Sequence, residues 1–248
     1  MSVDRLAEAL RASRYTVVLT GAGLSTESGI PDFRSAGGIW AKADPMEVGS
    51  LAGFRASPAR FYDFWSRFFA GLGTVTPSAM HRVLAALEAR GLVHAIVTQN
   101  VDGLHQLAGS QRVLEAHGQW QRTRCTRCGA LDRWETAMAR ATGGLPRCEA
   151  CGGLVRPDVV LFGEALGPAF REAEHEARRA ELFVAMGTSL EVAPVSGLPA
   201  LAREEGAMGR GATVAIVNRE PTAEDGVAHL VVRGELGLLA EALGRLLA

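Results

Sequence analysis

A glycine-rich segment that directly follows an apolar run has the composition of a phosphate-binding turn. Residues 15–20 predict a buried parallel strand, and Gly21 and Gly23 come immediately after it. Glycines let backbone amides approach an anion closely, which suits the phosphates of a dinucleotide. Three hydroxyl side chains add further donors: Ser25, Thr26 and Ser28.

The same segment departs from the ordinary dinucleotide fingerprint. That fingerprint, Gly-x-Gly-x-x-Gly, expects a third glycine where Thr26 stands. The segment continues instead into a rigid residue, an acid, an aromatic ring and a cation: Pro31, Asp32, Phe33 and Arg34. We expect this combination to hold and shield a reactive ribose beside the phosphates.

Four cysteines, arranged as two pairs, form the second chemically informative pattern. Cys125 and Cys128 are followed by 19 intervening residues and then by Cys148 and Cys151. Each Cys-x-x-Cys turn lets two thiolates converge on one ion, and four thiolates predict a closed, structural zinc site. The alternative, two disulfides, is typical of secreted chains, and the low cysteine content and the lack of a signal-peptide pattern oppose it.

Strand and helix patterns alternate along the chain and predict how these motifs are positioned. Apolar runs predict strands at residues 15–20, 94–98, 113–115, 159–161, 181–186, 212–217 and 229–232. Amphipathic patterns predict helices at residues 77–90, 168–180, 194–205 and 237–247, the first three beginning at a proline. This alternation is typical of an α/β fold with a doubly wound parallel sheet. Two insertions interrupt it, the aromatic-rich residues 35–75 and the cysteine-containing residues 119–154.

Polar side chains cluster directly after four of the predicted strands. Residues 98–102 follow the second strand, His117 follows the third, residues 187–189 follow the fifth and residues 218–220 follow the sixth. Ligands of open α/β sheets bind at the carboxyl ends of the strands. The amide, acid and imidazole groups therefore predict a site that binds a polar ligand and transfers protons.

Five of the six histidines divide into one functional candidate and four that are not. His117 precedes a glycine at the junction between a predicted strand and an insertion, so we expect it to act in chemistry. His81, His94, His175 and His229 have no polar motif beside them at a strand end. A surface or capping role is favoured for these four.

Composition and charge exclude several classes of protein. The 248 residues are 48% hydrophobic, which is enough for one large domain or for a large and a small one. A net charge of −1 gives no basic footprint for nucleic acid or for an anionic membrane. No run reaches the ~20 apolar residues of a membrane span, and near the start Leu6 and Leu10 are interspersed with the charged residues Asp4, Arg5 and Glu8. We expect a cytoplasmic protein whose oligomeric state the sequence does not fix, a monomer being compatible with it.

Seven motifs in a fixed order carry a family resemblance. They are GAGLSTESGIPDFR at 21–34, TQNVDGLHQLAG at 98–109, HG at 117–118, the cysteine pairs, RPDVVLFGE at 156–164, GTSLEVAP at 187–194 and VNRE at 217–220. Over nearly its whole length the chain resembles the bacterial-type sirtuins, a family of NAD-dependent protein deacylases. The resemblance implies a Rossmann-like NAD-binding domain (residues 1–34, 76–118 and 155–248). It also implies a small domain made of a helical module (35–75) and a zinc-ribbon module (119–154).

The resemblance further implies which residues contact NAD, the co-substrate. These are Gly21, Ala22, Gly23, Thr26, Ile30, Asp32, Phe33, Arg34, Trp40, Gln99, Asn100, Val101, Asp102, Gly187, Thr188, Ser189, Asn218, Arg219, Glu220 and Leu236. Asn100 and Asp102 would hold the ribose and the nicotinamide carboxamide. Residues 187–189, residues 218–220 and Leu236 would take the phosphate and adenosine ends.

The implied mechanism assigns catalysis to His117, Asn100 and Asp102. The acyl-lysine carbonyl oxygen attacks C1′ of the nicotinamide ribose, nicotinamide leaves, and His117 acts as general base on the ribose hydroxyls. The products are free lysine and O-acyl-ADP-ribose. Two segments resemble the strands that clamp the acyl-lysine peptide by main-chain pairing, which predicts loose sequence selectivity. Their substrate-binding residues are Val160, Leu161, Phe162, Gly163, Glu164, Leu190 and Val192.

The acyl preference follows from a missing arginine. Sirtuins specialised for succinyl or malonyl lysine carry Tyr-x-x-Arg in the helical module, whereas here Tyr62 is followed at that spacing by Trp65. Arg67 is two residues further along, a rotation of about 200° on a helix, so it faces elsewhere. The chain therefore resembles deacetylases more than desuccinylases, and we expect acetyl and other apolar acyl groups. A core role for both aromatic residues leads to the same expectation.

Two other functions remain open at this point. An ADP-ribosyltransferase with the same site would pass ADP-ribose to a protein side chain and leave acyl groups intact. A non-enzymatic NAD-binding or nucleic-acid-binding module is opposed by the joint presence of His117, Asn100 and Asp102.

Overall fold

The computed structural model describes residues 2–33, 35–72, 74–141 and 143–247. The helices are α1 (Ser2–Ala12), α2 (Pro45–Val48), α3 (Leu51–Ala56), α4 (Pro58–Leu72), α5 (Ala79–Ala89), α6 (Leu104–Leu107), α7 (Trp134–Ala139), α8 (Pro168–Arg179), α9 (Leu198–Gly209) and α10 (Leu236–Leu246). The strands are β1 (Thr16–Thr20), β2 (Ala95–Thr98), β3 (Val113–Glu115), β4 (Gly118–Cys125), β5 (Leu131–Arg133), β6 (Val155–Val159), β7 (Leu182–Met186), β8 (Thr213–Val217) and β9 (Leu230–Val232). None of the helices in these ranges has the length and hydropathy of a membrane span.

The chain forms two compact units. The larger unit comprises residues 1–32, 76–116 and 167–248, and the smaller unit comprises residues 33–75 and 117–166. Residues 155–166, which the sequence assigns to the larger domain, lie in the smaller unit. The reason is that β6 pairs antiparallel with β4 along five registered residue pairs.

The larger unit contains a six-stranded parallel sheet in the order β3-β2-β1-β7-β8-β9. Every residue of β1, β2 and β7 is buried, as expected for strands covered on both faces by helices. Leu6 and Leu10 of α1 pack with sheet residues such as Val18 and Val184 in one apolar core. This Rossmann-like sheet confirms the α/β fold class.

The helix starts differ in detail from the proline-based expectation. Pro168 does stand in the first turn of α8. By contrast, α5 begins after Ser78, whose side chain accepts the His81 N–H in a reciprocal capping box, so Pro77 precedes the cap. Pro194 lies before a short 3-10 turn, and α9 begins only at Leu198.

The smaller unit combines a helical module with a three-stranded antiparallel sheet. Helices α2, α3 and α4 form the module, and the sheet has the order β5-β4-β6. The strand expected at 159–161 is β6, which is shifted to Val155–Val159. Aromatic rings fill the module: Trp65 stacks on Phe69 at 5.3 Å, and Phe69 stacks on Trp120 of β4 at the same distance.

Candidate active site

The polar motifs of the larger unit lie together at the carboxyl edge of its sheet. Residues 21–23 follow β1, residues 99–102 follow β2, residues 187–189 follow β7 and residues 218–220 follow β8. These four strands are neighbours, with β1 between β2 and β7. The structure thus brings the predicted motifs to the edge where open α/β sheets bind ligands.

The two glycines after β1 are required by close packing of backbone. The Gly23 N–H donates to the Gly187 carbonyl at 2.9 Å, and the Gly21 N–H donates to the Met186 carbonyl at 3.2 Å. A Cβ on Gly21 would lie 2.7 Å from Cβ of Thr188, and one on Gly23 would lie 2.8 Å from the Gly187 oxygen. The physical reason for these glycines therefore differs from the expected one, because both amides are already bonded within the protein.

Ser25, Asn100 and Asp102 form a hydrogen-bonded cluster beside this loop. The Ser25 hydroxyl donates to Asp102 Oδ2 at 2.6 Å. The Asn100 side-chain amide donates to Ser25 Oγ and to the Gly21 carbonyl, both at 3.0 Å. With both amide protons committed, Oδ1 is the Asn100 side-chain atom that remains to accept a bond from a ligand.

Asp102 is held in a desolvated position. Burial raises the pKa of its carboxyl group, and the hydrogen bonds from Ser25 and from the Leu104 N–H oppose that shift. A ligand hydroxyl or carboxamide that donates a hydrogen bond to this carboxylate would compensate for the hydration that burial removes. An amide oxygen and a carboxylate at one place fit the donor groups of the NAD ribose and nicotinamide.

The remaining predicted NAD-binding residues of the larger unit lie in the same loops. Gln99 Nε2 donates to Thr188 Oγ1 at 2.8 Å, which links the loops after β2 and β7. Leu236 begins α10 against Gly187, since a Cβ on that glycine would lie 3.0 Å from its side chain. The others are loop residues: Ala22, Thr26, Ile30 and Asp32 near β1, Val101 after β2, Ser189 after β7, and Asn218, Arg219 and Glu220 after β8.

The aromatic part of the predicted set belongs to the smaller unit. The Phe33 and Trp40 rings are 5.3 Å apart, and the Trp40 N–H donates to the Phe33 carbonyl at 3.0 Å. Trp40 is also 6.3 Å from both Trp65 and Phe162. Arg34 lies outside the described residues.

His117 directly precedes β4 in the smaller unit. Its side chain is half-buried, and its carbonyl accepts the Val160 N–H at 2.9 Å. The next residue has to be glycine, because Gly118 has φ of +75° and a Cβ there would lie 2.0 Å from the Asp158 carbonyl oxygen. Tight pairing with β6 therefore fixes the backbone that carries the imidazole.

The predicted peptide-binding segment after β6 is a turn. The Glu164 N–H donates to the Leu161 carbonyl at 3.0 Å, and the Leu161 N–H donates to the Glu164 carboxylate at 2.9 Å. Phe162 bonds in both directions to residues 49–51. In the larger unit, Leu190 is buried with φ of +57°, and its N–H donates to Thr188 Oγ1. The exposed Gly163 and the half-buried Val192 complete the predicted set.

The four cysteines are positioned to bind one structural metal ion, consistent with zinc. Their sulfur atoms all lie within 4.8 Å of one another, with Cys125 and Cys151 at 3.5 Å and Cys128 and Cys148 at 3.7 Å. A tetrahedron of thiolates at the usual Zn–S distance has edges of about 3.8 Å. All four cysteines are free, so the disulfide alternative is not what the structure shows.

Zinc ligation is favoured by the local hydrogen bonds as well. The Gly153 N–H and the Arg127 guanidinium lower the pKa of the Cys151 thiol to about 6. Thiolates are the form that binds zinc. Because four sulfurs complete the tetrahedron, the ion would be structural and would leave no coordination position for water.

Three of the four histidines expected to have no chemical role bond to the backbone. His94 and His229 each accept a strand N–H at Nδ1, from Thr16 and Val214, and His81 caps α5. His175 is exposed on α8. These positions agree with the surface or capping role expected for the four residues.

Sequence reasoning missed two parts of the site. Ser25 was expected to face an anion, but its hydroxyl bonds Asp102. His105 lies within the motif at 98–109, but the sequence assigns it no role. In the structure it is buried and bonded to Thr20 at the end of β1. The signal for Ser25 was its position four residues after Gly21, within the same turn.

Comparison with known proteins places the chain in a family. A profile of the Sir2 family matches residues 21–194. An NAD-dependent protein deacylase of Aeropyrum pernix is 42% identical over 240 residues, which are 96% of this chain and 95% of that protein. An NAD-dependent protein deacetylase 1 of Geobacillus kaustophilus is 45% identical and covers 90% of this chain and 89% of its own length.

Solved structures agree with these relatives. A Sir2 enzyme structure is 40% identical with a TM-score of 0.85, covering 99% of this chain and 98% of its own. A Sir2 complex with p53 peptide and NAD+ is 36% identical with a TM-score of 0.88 and the same coverage. A family match over most of the chain, relatives above 40% identity and the sheet-edge cluster lead to one conclusion: this chain belongs to the Sir2 family, the sirtuins.

Proposed function

We propose that the protein is an NAD-dependent protein lysine deacylase. The reaction converts acyl-lysine, NAD and water into lysine, nicotinamide and O-acyl-ADP-ribose. The observation that carries the proposal is the Ser25–Asn100–Asp102 cluster at the carboxyl edge of the parallel sheet. The named deacylase and deacetylase relatives and the Sir2 complex with NAD+ and p53 peptide support it.

The residues of the sheet edge bind and orient the co-substrate. Asp102 and Asn100 Oδ1 accept hydrogen bonds from the ribose hydroxyls and the carboxamide, and the loops at 187–189 and 218–220 take the phosphate and adenosine ends. Phe33, Arg34 and Trp40 belong to the same proposed set. When bound, NAD supplies the ADP-ribosyl group that accepts the acyl group, with nicotinamide as the leaving group.

His117 moves the proton in this proposal. Its imidazole takes the proton from a ribose hydroxyl, which makes that oxygen a nucleophile toward the acyl carbon. General-base catalysis of this kind contributes roughly 10²- to 10⁴-fold to a rate. The pairing of Gly118 with Val159 on β6 supports the role, because it holds the backbone of His117 in one place.

The acyl-lysine peptide is recognised mainly through its main chain, by residues 160–164 together with Leu190 and Val192. Such pairing reads few side chains, so acceptance of different sequences should be broad. Acyl-lysine proteins are accordingly the proposed partners. The cytoplasmic location and the oligomeric state stay predictions, which cell fractionation and light scattering would test.

Apolar acyl groups are the proposed substrates. The Tyr62 hydroxyl donates to the Val155 carbonyl and the ring is buried, so it is already committed within the protein. Trp65, which stands where the acyl-carboxylate arginine would stand, donates its indole N–H to the Val48 carbonyl. Neither side chain offers a positive charge to a succinyl or malonyl carboxylate.

Mass spectrometry of an acetyl-lysine peptide with and without NAD tests the activity. We expect loss of the acetyl group that requires NAD, together with formation of O-acetyl-ADP-ribose. The His117→Ala variant should lose roughly 10²- to 10⁴-fold in rate. His175→Ala is the matched control, because His175 is exposed on α8, and it should retain full activity.

The same assay distinguishes the alternative. NAD consumption that leaves acetyl-lysine intact and places ADP-ribose on protein would replace the deacylase by an ADP-ribosyltransferase. A succinyl-lysine peptide that is cleaved as fast as the acetyl-lysine peptide would overturn only the proposed acyl preference.

A further inference from the structure

A buried histidine and a buried threonine meet beneath the sheet-edge cluster of the larger unit. His105 on α6 is 1% exposed, and its Nε2 lies 2.9 Å from Oγ1 of Thr20, which is 0% exposed. The ring of His81 contacts His105 edge to face at a centroid distance of 4.8 Å. None of these side chains takes part in the chemistry proposed above.

The pair joins the two segments that carry the proposed NAD-binding groups. Thr20 is the last residue of β1, and its carbonyl accepts a hydrogen bond from the Gln99 N–H at 3.0 Å. The carbonyl of the next residue, Gly21, accepts a hydrogen bond from the Asn100 side-chain amide. His105 lies in α6, which begins where the Leu104 N–H donates to Asp102 Oδ1 at 2.9 Å. A displacement of α6 relative to β1 would therefore move Asp102 against Asn100.

Stability alone does not explain why polar side chains occupy these buried positions. His105 Nδ1 and His81 Nε2 are buried and have no hydrogen-bond partner among the described residues. Burial lowers the pKa of His105 to about 3 and that of His81 to about 4, so both rings are neutral at physiological pH. Buried polar atoms without partners cost stability, and an aromatic ring such as phenylalanine would fill the space without that cost.

We propose that His105 is a positioning residue for NAD: its hydrogen bond to Thr20 fixes α6 against β1 and so sets the orientation of Asp102 relative to Asn100. The proposal rests on the proposed function, since it concerns the same site. α6 is a single short turn of four residues, which has little rigidity of its own. The bond to Thr20 is a side-chain contact that ties this turn to β1.

Thr20→Val and His105→Phe, singly and combined, test the proposal. We expect each single variant to raise KM for NAD and Kd for ADP-ribose about tenfold, with KM for the acetyl-lysine peptide unchanged. Each single variant leaves one buried polar atom unpaired and should lose some melting temperature, which the double variant should recover. The double variant should be no worse than either single one, because both remove the same bond. His105→Gln, which keeps a polar group on that side chain, should recover part of the affinity.

Thr16→Val is the matched control. Thr16 lies on the same strand and is equally buried, but it is at the opposite end, and its hydroxyl has no hydrogen-bond partner within the part of the chain that the structure describes. This variant should bind ADP-ribose as wild type does. If His105→Phe does not fold, the Thr20→Val variant, which retains the shape of the side chain, still decides the question.

Two outcomes would overturn the proposal. Unchanged affinity for ADP-ribose in Thr20→Val and His105→Phe would show that the bond does not position the site. A parallel rise of both KM values that follows a loss of melting temperature would show a merely structural role. Calorimetry of ADP-ribose with wild type separates this from the proposed function, because wild type that binds no ADP-ribose would contradict the function itself.

Discussion

The six-stranded parallel sheet and the three-stranded sheet beside the four cysteines (the cysteine sheet) differ in the apolar core that supports them. The six-stranded sheet of the larger unit has strands that are buried along their whole length and an apolar core that joins α1, α5 and α10 to it. The three-stranded sheet of the smaller unit has an exposed or half-buried β5. Among the described residues, the buried members of the core around its cysteines are Cys125, Ala137, Cys148 and Val155. Hydrophobic burial can support the first sheet, whereas we predict that the second needs a bound metal ion in addition to its apolar contacts.

Tryptophan makes this difference measurable. All four tryptophans, Trp40, Trp65, Trp120 and Trp134, lie within the ranges of the smaller unit. Their fluorescence therefore reports on the smaller unit, while far-UV circular dichroism reports on both. Loss of zinc should therefore change tryptophan fluorescence more than circular dichroism, and a core substitution in the parallel sheet should do the reverse.

Loss of zinc should have the largest effect of all. Structural zinc contributes apparent free energies of ~10–16 kcal/mol in small metal-dependent domains, so chelation or Cys148→Ala should unfold the cysteine sheet. We expect one zinc ion per wild-type chain by metal analysis, none in the variant, and a red-shifted tryptophan emission. The parallel sheet should keep its circular dichroism. A variant that loses zinc with unchanged tryptophan emission would contradict the metal dependence of this sheet.

A core substitution in the parallel sheet should have the complementary effect. Phe183 on β7 is 0% exposed, and Phe183→Ala should cost about 3–5 kcal/mol of unfolding free energy by removing buried contacts and leaving a cavity. Denaturant titration followed by circular dichroism measures the loss, while zinc content stays at one ion per chain. Phe183→Leu is the milder control. Loss of zinc in Phe183→Ala would show that the two sheets do not respond separately.

The predictability of the two regions follows the same division. Apolar runs in the sequence predict six of the seven strands to within one residue at each end. A continuous apolar run such as Leu182–Met186 fits a strand buried on both faces and few other structures. Cysteine spacing predicts the metal site directly. The seventh predicted strand, at 159–161, is wrong by several residues, since the observed strand at 155–159 lacks an apolar run. Its residues are a mixture of buried and partly buried ones.

The parts that sequence did not predict depend on side-chain partners. The need for Gly21 and Gly23 arises from residues 187 and 188, more than 160 positions away along the chain. The hydroxyl of Ser25 could have faced an anion or a carboxylate, and only the fold selects Asp102. A local pattern contains the residue types but not the contacts between distant segments.

Acid should destabilise the larger unit through two buried histidines, His81 on α5 and His105 on α6. The pKa values of His81 and His105 are lowered by burial to about 4 and about 3, compared with about 6.5 in an unfolded chain. Unfolding therefore takes up protons below pH 6.5, and unfolding free energy should fall as pH decreases, by up to about 1.4 kcal/mol per pH unit for each histidine.

Denaturant titrations between pH 5 and 7.5 measure this slope. His105→Phe should reduce it by the share of one histidine. Following circular dichroism separates the effect from acid release of zinc, which the tryptophan signal reports. An identical slope in wild type and His105→Phe would contradict the assignment.

The smallest effect is expected at Asp102, where stability and function oppose each other. Burial raises the pKa of this carboxyl group, so its charged form is less favourable in the folded protein than in the unfolded chain. At neutral pH the carboxyl group is ionised in both the folded and the unfolded state, so the folded protein carries the full desolvation penalty. This penalty disappears as pH falls through the raised pKa.

The Asp102→Asn substitution tests this. It keeps the shape of the side chain, which can still accept the Leu104 N–H and bond Ser25. It should therefore gain on the order of 1 kcal/mol at pH 7.5, a gain that shrinks toward pH 4, while NAD-dependent deacylation falls sharply. Paired melts of wild type and variant across this range, with kinetics at pH 7.5, measure both. A variant that is less stable than wild type at neutral pH would mean that the hydrogen bonds from Ser25 and Leu104 outweigh the desolvation of the carboxylate.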